Sequence, residues 1–453
     1  MEPITNHVLL TDLYELTMAA SYLDHHMNET ATFSLFVREY PDGRAYFVSA
    51  GLRDVLDFLE NLKFTQEDLH YLESTGFFSS GFLSYLEKFR FTGDVHAMPE
   101  GRLFFTNEPI LEVTAPMIEA QLVETFIINA MNMQSLIATK AARCVHAARG
   151  RSLVDFSLRR THGIDAGMKV ARSSYLAGFT GTSNVMAGKL YGIPISGTMA
   201  HSYITAFKEE TDAFRAFAES FPGNSVMLVD TYDTLEGTRK AAGVGQEMKK
   251  RGQDLSGIRL DSGDMATLSR KARKILDDAG LKKTQIFASG GFDEFKIRKV
   301  LKQKAAIDAF GVGTKMGVSA DAPYFDMAYK LVQYAGRPVL KLSTGKKTLT
   351  SEKQVFRFTG NNGELDHDVI ALRSDKMDGE PLLKTVMKQG EITGPLSSLS
   401  QTRDLFKNEF SRLPDKYKSL DDPAEYTVRL SPRMEEMQKK TEFKARKKEL
   451  GES

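Results

Sequence analysis

Cysteine is nearly absent. The 453-residue chain carries only Cys144, which excludes an intramolecular disulfide, a zinc knuckle and a Cys-x-x-Cys redox pair. Charge of one sign does not dominate either. Lys plus Arg number 60 and Asp plus Glu 59, a formal +1, so there is no global electrostatic footprint for nucleic acid. A local basic pocket stays open. Long apolar runs are missing too: nowhere do 18 apolar residues follow one another, and the best stretch, 121–138, is broken by Glu124, Asn129, Asn132 and Gln134. The opening MEPITNHVLLTDLYELT has no basic segment leading into an apolar one, so no signal peptide is expected there. The expectation is a cytoplasmic protein with neither membrane nor nucleic-acid partners.

With 42% hydrophobic and 26% charged residues, the composition is that of an ordinary globular protein. A length of 453 exceeds the ~100–200 residues of one domain, unless a single barrel of about 250 residues takes most of it. Roughly three quarters of the surface of a chain this long can be buried, so no staple is required.

Pattern divides the chain into three stretches: an N-terminal α/β domain over 1–135, a (β/α) barrel over 136–340 and a C-terminal β-rich and helical region over 341–453. In the first, Asp12 is placed to cap a helix running through Leu13, Leu16, Met18 and Ala20, with Glu15 closing a capping box. Residues 91–116 carry the short apolar runs and Gly/Pro punctuation of a small β unit. In the middle stretch, short apolar runs at 152–160, 193–201, 226–234, 258–264, 285–294 and 309–317 end in polar or glycine residues. Helical stretches such as 265–279 and 293–304 separate them, the alternation of parallel βα units. Polar residues at every strand end favour a barrel with its catalytic face there, although an open doubly wound sheet gives a similar pattern. After 341, the runs 339–358 and 382–392 read as antiparallel strands. The pairs Glu435/Lys439, Glu436/Lys440 and Glu442/Arg446 predict an exposed terminal helix.

Common motifs fail. TGKKT (344–348) lacks the first glycine of a phosphate loop, GVGTKMG (311–317) has one residue too many for GxGxxG, and HExxH and GxSxG do not occur. VMLVDTYDT (226–234) resembles the diphosphate loop of type I phosphoribosyltransferases but lacks its adjacent acidic pair. What remains is a set of strand ends suited to phosphate and pyrophosphate chemistry. Arg159 and Arg160 follow a strand, and a guanidinium grips a phosphate through two parallel hydrogen bonds. ASGG (288–291) is a small turn before a helix, able to form an anion nest from Ser289, Gly290 and Gly291, and GVGT (311–314) repeats the logic up to Thr314. RLDSGD (259–264) sets Arg259 beside Asp261 and Asp264, carboxylates able to position Mg²⁺ when substrate phosphates complete its shell. His201, just after an expected strand at 193–196, shares its strand end with Gly197 and Thr198. Each has a plainer reading: surface arginines, ordinary βα turns, a local ion pair, a structural histidine.

Taken in order, LLTDLYELTMA, FSLRRTHG, GTSNV, GTMAHS, VDTYDT, IRLDSGD, FASGGFDE and FGVGT resemble the nicotinate phosphoribosyltransferase family over roughly residues 8–330. The resemblance implies a type II phosphoribosyltransferase fold: an N-terminal α/β domain on an irregular (β/α) barrel, here with a small C-terminal β-rich extension. It implies a homodimer with shared active sites. The implied reaction joins nicotinate and phosphoribosyl diphosphate into nicotinate mononucleotide and diphosphate for NAD salvage. ATP hydrolysis is coupled to it through a transient phosphohistidine; the chemistry of a leaving diphosphate adds the expectation of Mg²⁺. By motif, Tyr14 stacks on the pyridine ring, Thr198 and Arg259 contact nicotinate, and His201 carries the phosphoryl group. The 5-phosphate falls to Ser289, Gly290, Gly291 and Thr314, and Arg160 lies near the diphosphate. Thr180 departs from the acidic residue of many relatives. A nicotinamide phosphoribosyltransferase, whose neutral amide would favour an acceptor such as Asp where this chain has Thr198 and Arg259, is one alternative. A quinolinate enzyme and a non-catalytic barrel binding module are the others.

Overall fold

The computed structural model describes residues 7–343 and 348–451, so 344–347 of the expected 339–358 strand run, most of TGKKT, lie outside the described residues. The chain gathers into two compact units, Met1–Leu136 with Tyr324–Ser453, and Ile137–Pro323.

The first unit is built on a seven-stranded sheet, in the order Arg337–Pro338, Met327–Tyr334, Thr30–Val37, Leu111–Pro116, Asp94–Ala97, Lys384–Lys388 and Glu391–Ile392. Thr30–Val37 pairs antiparallel with both neighbours and is buried from Ala31 onward, as a central strand of apolar residues should be. Met327–Tyr334 falls in the stretch read from sequence as barrel, and it joins this sheet instead through pairs such as Ala31 with Tyr334. The helix Leu52–Glu60 buries Leu52, Val55, Leu56 and Leu59, the i, i+3, i+4, i+7 stripe of an amphipathic helix. A smaller four-stranded sheet, Glu380–Pro381, Lys353–Thr359, Leu365–Leu372 and Val428–Leu430, holds the buried Arg357 against Asp368 (2.6 Å) and Glu409 (3.0 Å). The terminal helix runs Pro432–Leu450 and is mostly exposed.

The helix Leu13–Asp24 forms as expected, but its capping box does not: Asp12 makes no side-chain cap bond. Both carboxylates are engaged elsewhere. Thr125 donates to Asp12 (2.8 Å) and to Glu15 (2.6 Å), and Thr11 also donates to Glu15.

The second unit carries six parallel strands in the order Gly181–Thr182, Ser152–Asp155, Ala309–Val312, Gln285–Ala288, Gly257–Leu260 and Val226–Leu228. The strand expected at 193–196 reduces to a single parallel bridge between Ile195 and Thr182. Pro194 has no N–H to donate and only its carbonyl and the Ser196 amide complete rungs, so the ladder stops there. Two side-chain contacts join the residues after this segment to the last two strands: Arg259 Nη2, on Gly257–Leu260, donates to the Met199 carbonyl, and His201 lies against Thr231, just past the edge strand Val226–Leu228. The result is an irregular (β/α) barrel. Glu294–Lys302 and Met265–Asp278 are among its helices, with Asp293 and Asp264 as N-caps.

Candidate active site

Parallel strands deliver their carboxyl ends to one edge, and the sheet order makes the turns after Ala309–Val312, Gln285–Ala288, Gly257–Leu260 and Val226–Leu228 neighbours. Arg259, the third residue of its strand, is half-buried there. Its Nη2 donates to the Met199 carbonyl at 2.6 Å and its Nη1 reaches Ser289 Oγ at 3.5 Å. Its Nε is buried without a hydrogen-bond partner among the described residues. Burial holds the guanidinium below its ordinary pKa, Asp261 and Asp230 pull it back, and Arg159 adds a like charge.

Carboxylates tie the strand ends together behind this cation. Asp230 Oδ2 accepts from the Asp261 amide (2.9 Å) and from the Ser262 hydroxyl (2.6 Å), while Asp261 Oδ1 accepts from Ser289. Asp230 Oδ1 is buried and unpaired among the described residues. A buried donor and a buried acceptor left unpaired at neighbouring strand ends are the groups a polar ligand satisfies. His201 is exposed, its Nδ1 3.1 Å from Thr231 Oγ1, and Thr198 is half-buried with its hydroxyl 3.4 Å from the same Met199 carbonyl that Arg259 uses.

The next turn is shaped by glycine. Gly290 has φ +95, and a Cβ on it would lie 2.0 Å from the Asp261 carbonyl oxygen, so no other residue fits without moving the backbone. Gly291 follows at φ +68. Residues 289–291 thus arrive at the N-terminus of Glu294–Lys302, where backbone N–H groups and the helix dipole favour an anion. Asp293 caps that helix through the Lys296 amide (2.8 Å) and takes the Lys315 ammonium on its other oxygen (2.8 Å), while the Lys296 ammonium reaches the Gly290 carbonyl. Burial, then the charge of Lys315, lowers the Lys296 pKa. Thr314, exposed, opens the next turn.

Arg159 and Arg160 sit exposed on the 3₁₀ turn Leu158–Arg160. The buried Asp155 fixes the start of that turn by accepting from the Ser157 amide (2.9 Å) and from the Thr182 hydroxyl (2.8 Å), and burial raises its pKa. Thr180 uses its hydroxyl on the Leu153 carbonyl (2.9 Å). Asp264 accepts the Ala266 and Thr267 amides (3.2 and 3.3 Å) as a helix cap, and those Thr267 bonds keep its pKa low. Tyr14 belongs to the first unit, 46% exposed, its phenol pKa raised by burial and by Glu124. The structure therefore brings Arg259, Asp261, Ser289, Thr198 and His201 to one mouth. Sequence reasoning gave no role to Asp230 and Thr231, although both stand inside VDTYDT; being the first polar residues after an apolar run was the available signal. Lys296 and Lys315 carried no signal, because only the fold brings residue 315 to residue 293.

Comparison with known proteins gives three family matches: the nicotinate phosphoribosyltransferase N-terminal domain over residues 9–132, the family proper over 151–364 and its C-terminal domain over 375–438. A nicotinate phosphoribosyltransferase of Mycobacterium tuberculosis is 48% identical over 435 residues, covering 95% of this chain and 93% of the relative. One from Bacillus subtilis is 38% identical, covering 93% of this chain and 92% of its own length. The crystal structure of human nicotinic acid phosphoribosyltransferase superimposes with a TM-score of 0.85 at 29% identity, covering 95% of this chain and 99% of that one.

Proposed function

The chain belongs to the nicotinate phosphoribosyltransferase family, with the type II phosphoribosyltransferase fold, and on that premise we propose that it converts nicotinate and phosphoribosyl diphosphate into nicotinate mononucleotide and diphosphate. The observation that carries this reading is Arg259, a half-buried cation with an unpaired Nε at a strand-end mouth beside Thr198. A planar carboxylate on a flat ring suits such a guanidinium.

In the proposed reaction, Arg259 and Thr198 hold the nicotinate carboxylate, and Tyr14, from a partner subunit of a homodimer, stacks on the ring. The pyridine nitrogen is already nucleophilic at neutral pH, so no general base is required. It displaces diphosphate at the anomeric carbon through an oxocarbenium-like state, in which positioning and leaving-group neutralisation supply the catalysis. Ser289, Gly290, Gly291 and Thr314 receive the 5-phosphate and Arg160 lies by the diphosphate. His201, exposed beside Thr231, accepts a phosphoryl group from ATP.

Among the described residues no three His, Cys, Asp or Glu side chains form a metal-binding group. Asp261 and Asp264 each spend one oxygen on protein donors, Ser289 for the first and helix amides for the second. The oxygens left over fit a cation held through its waters and by substrate phosphates, and Mg²⁺ bound so would neutralise the leaving diphosphate.

The test is incubation with phosphoribosyl diphosphate and each of nicotinate, nicotinamide and quinolinate, with and without ATP, following diphosphate release. Release with nicotinate above the other two, increased by ATP, supports the reading. Preference for another pyridine, or no release with any, refutes it.

A further inference from the structure

Behind the two turns at 289–291 and 313–314 lies a buried ionic device that the reaction does not use directly. Lys140, on the helix Glu124–Ala148, is 1% exposed. Its ammonium meets Glu294 Oε2 at 2.6 Å and also Asp321. Glu294, wholly buried, takes Arg143 Nε on its other oxygen at 2.9 Å. The Phe295 ring lies 5.7 Å from Lys140 Nζ and 5.6 Å from the Arg143 guanidinium.

The position of the two carboxylates gives the device its meaning. Glu294 is the first residue of the helix Glu294–Lys302, three residues past Gly291. Asp321 lies within the compact segment 314–322, which is closed by backbone bonds from the Val318 amide to Thr314 and from the Ala320 amide to Lys315, and by the Ser319 hydroxyl on the Ala322 carbonyl. One ammonium therefore grips the far side of both turns. On the near side, Lys315 and Asp293 link the same two segments at 2.8 Å. Replacing buried ion pairs by apolar residues of similar volume is often neutral or stabilising, so the interest of these pairs lies in the segments they join.

From this arrangement we infer that Lys140 is a positioning residue, which clamps the turns at 289–291 and 313–314 at the spacing needed to bind the phosphate of phosphoribosyl diphosphate. The inference rests on the proposed function for the identity of that ligand. Lys140 touches no substrate. It acts through Glu294 and Asp321, so its loss loosens phosphate binding while leaving the nicotinate contacts of Arg259 and Thr198 in place.

The experiment measures phosphoribosyl diphosphate binding by calorimetry, without nicotinate, together with steady-state kinetics, in Lys140→Met and Asp321→Asn. Asp321 is partly exposed, so its variant tests one arm of the clamp even if Lys140→Met fails to fold. Lys240→Met is the control, because it breaks the pair of a less buried lysine with the buried Glu210 (3.2 Å), and among the described residues that pair has no link to either turn. Expected is a weakening of phosphoribosyl diphosphate binding by about tenfold, with KM for nicotinate and kcat within about twofold and Lys240→Met unchanged. Unchanged binding in the variants, or the same fall in all parameters as in the control, overturns the inference. Because binding is read without nicotinate, an enzyme that binds phosphoribosyl diphosphate and ignores nicotinate refutes the proposed function and still decides this one.

Discussion

At the scale of single residues, two side chains carry separable predictions. His201 is exposed, with its Nδ1 against the Thr231 hydroxyl, a setting open to a phosphoryl donor. ATP can raise the yield of product only if the phosphorylated and free enzymes bind substrates and products differently, since equal binding shifts nothing. His201→Asn keeps the shape and loses the acceptor nitrogen chemistry. It should abolish acid-labile labelling by γ-labelled ATP and leave a transfer whose equilibrium yield ignores ATP; retained coupling would assign the phosphoryl group to another residue. Gly290 is the second. With φ +95 and a carbonyl oxygen 2.0 Å from any added Cβ, Gly290→Ala must displace the turn from Asp261. A loss of roughly 1–3 kcal/mol in unfolding free energy is expected, together with weaker phosphoribosyl diphosphate binding. Wild-type affinity in this variant would show that the turn is no part of the phosphate site.

At the scale of elements, the helix Leu13–Asp24 combines a stable scaffold with an energetically awkward carboxylate. Glu15 is buried and its pKa is pushed up to about 7 by that burial, with bonds from Thr11 and Thr125 opposing and Glu124 and Asp12 adding like charge. A carboxyl raised in the folded state costs nothing below its ordinary value of 4.5; the penalty grows as pH rises toward 7 and is complete above it. Glu15→Gln removes the charge and keeps one acceptor oxygen for Thr125, whose hydroxyl and amide share Oε1, while Thr11 can turn its hydroxyl oxygen to the new NH2 donor. It should therefore stabilise the protein above pH 7, by on the order of 1 kcal/mol after solvent screening, and give no gain near pH 4.5. Thermal unfolding at the two pH values checks this, and an equal effect at both would mean that Glu15 does not titrate as described. The same helix shows how a correct element can hide a wrong detail. Its apolar spacing and Asp12 predicted the start, but beside the nearby Thr11 Glu15 takes Thr125, 110 residues away, a partner that no local pattern encodes.

At the scale of the whole molecule, Tyr14 and the barrel residues are proposed to meet across a dimer. Mixing the inactive variants Tyr14→Ala and His201→Ala should then return some activity through heterodimers with one intact site; demonstrated subunit exchange without recovery would end that proposal. Much of the barrel was legible because parallel strands buried on both faces leave short apolar runs ending in polar residues, as at 258–264 and 285–294. Arg259, Asp261 and Ser289 could be found for the same reason. The limits are equally physical. Pro194 interrupts a run that reads as a strand, Met327–Tyr334 pairs with Thr30–Val37 far earlier in the chain, and the Lys140 pairs depend on charges brought together only by packing. In the proposed reaction Arg259 and Thr198 select a pyridine bearing a carboxylate. The most direct test of this selection is the ratio of kcat/KM for nicotinate to that for nicotinamide, in wild type and Arg259→Ala. A charge-assisted bidentate contact of ~1.5–3 kcal/mol predicts that the mutant loses roughly 10- to 150-fold of that preference. A wild type without preference for the acid, or a mutant that keeps it in full, would contradict the account.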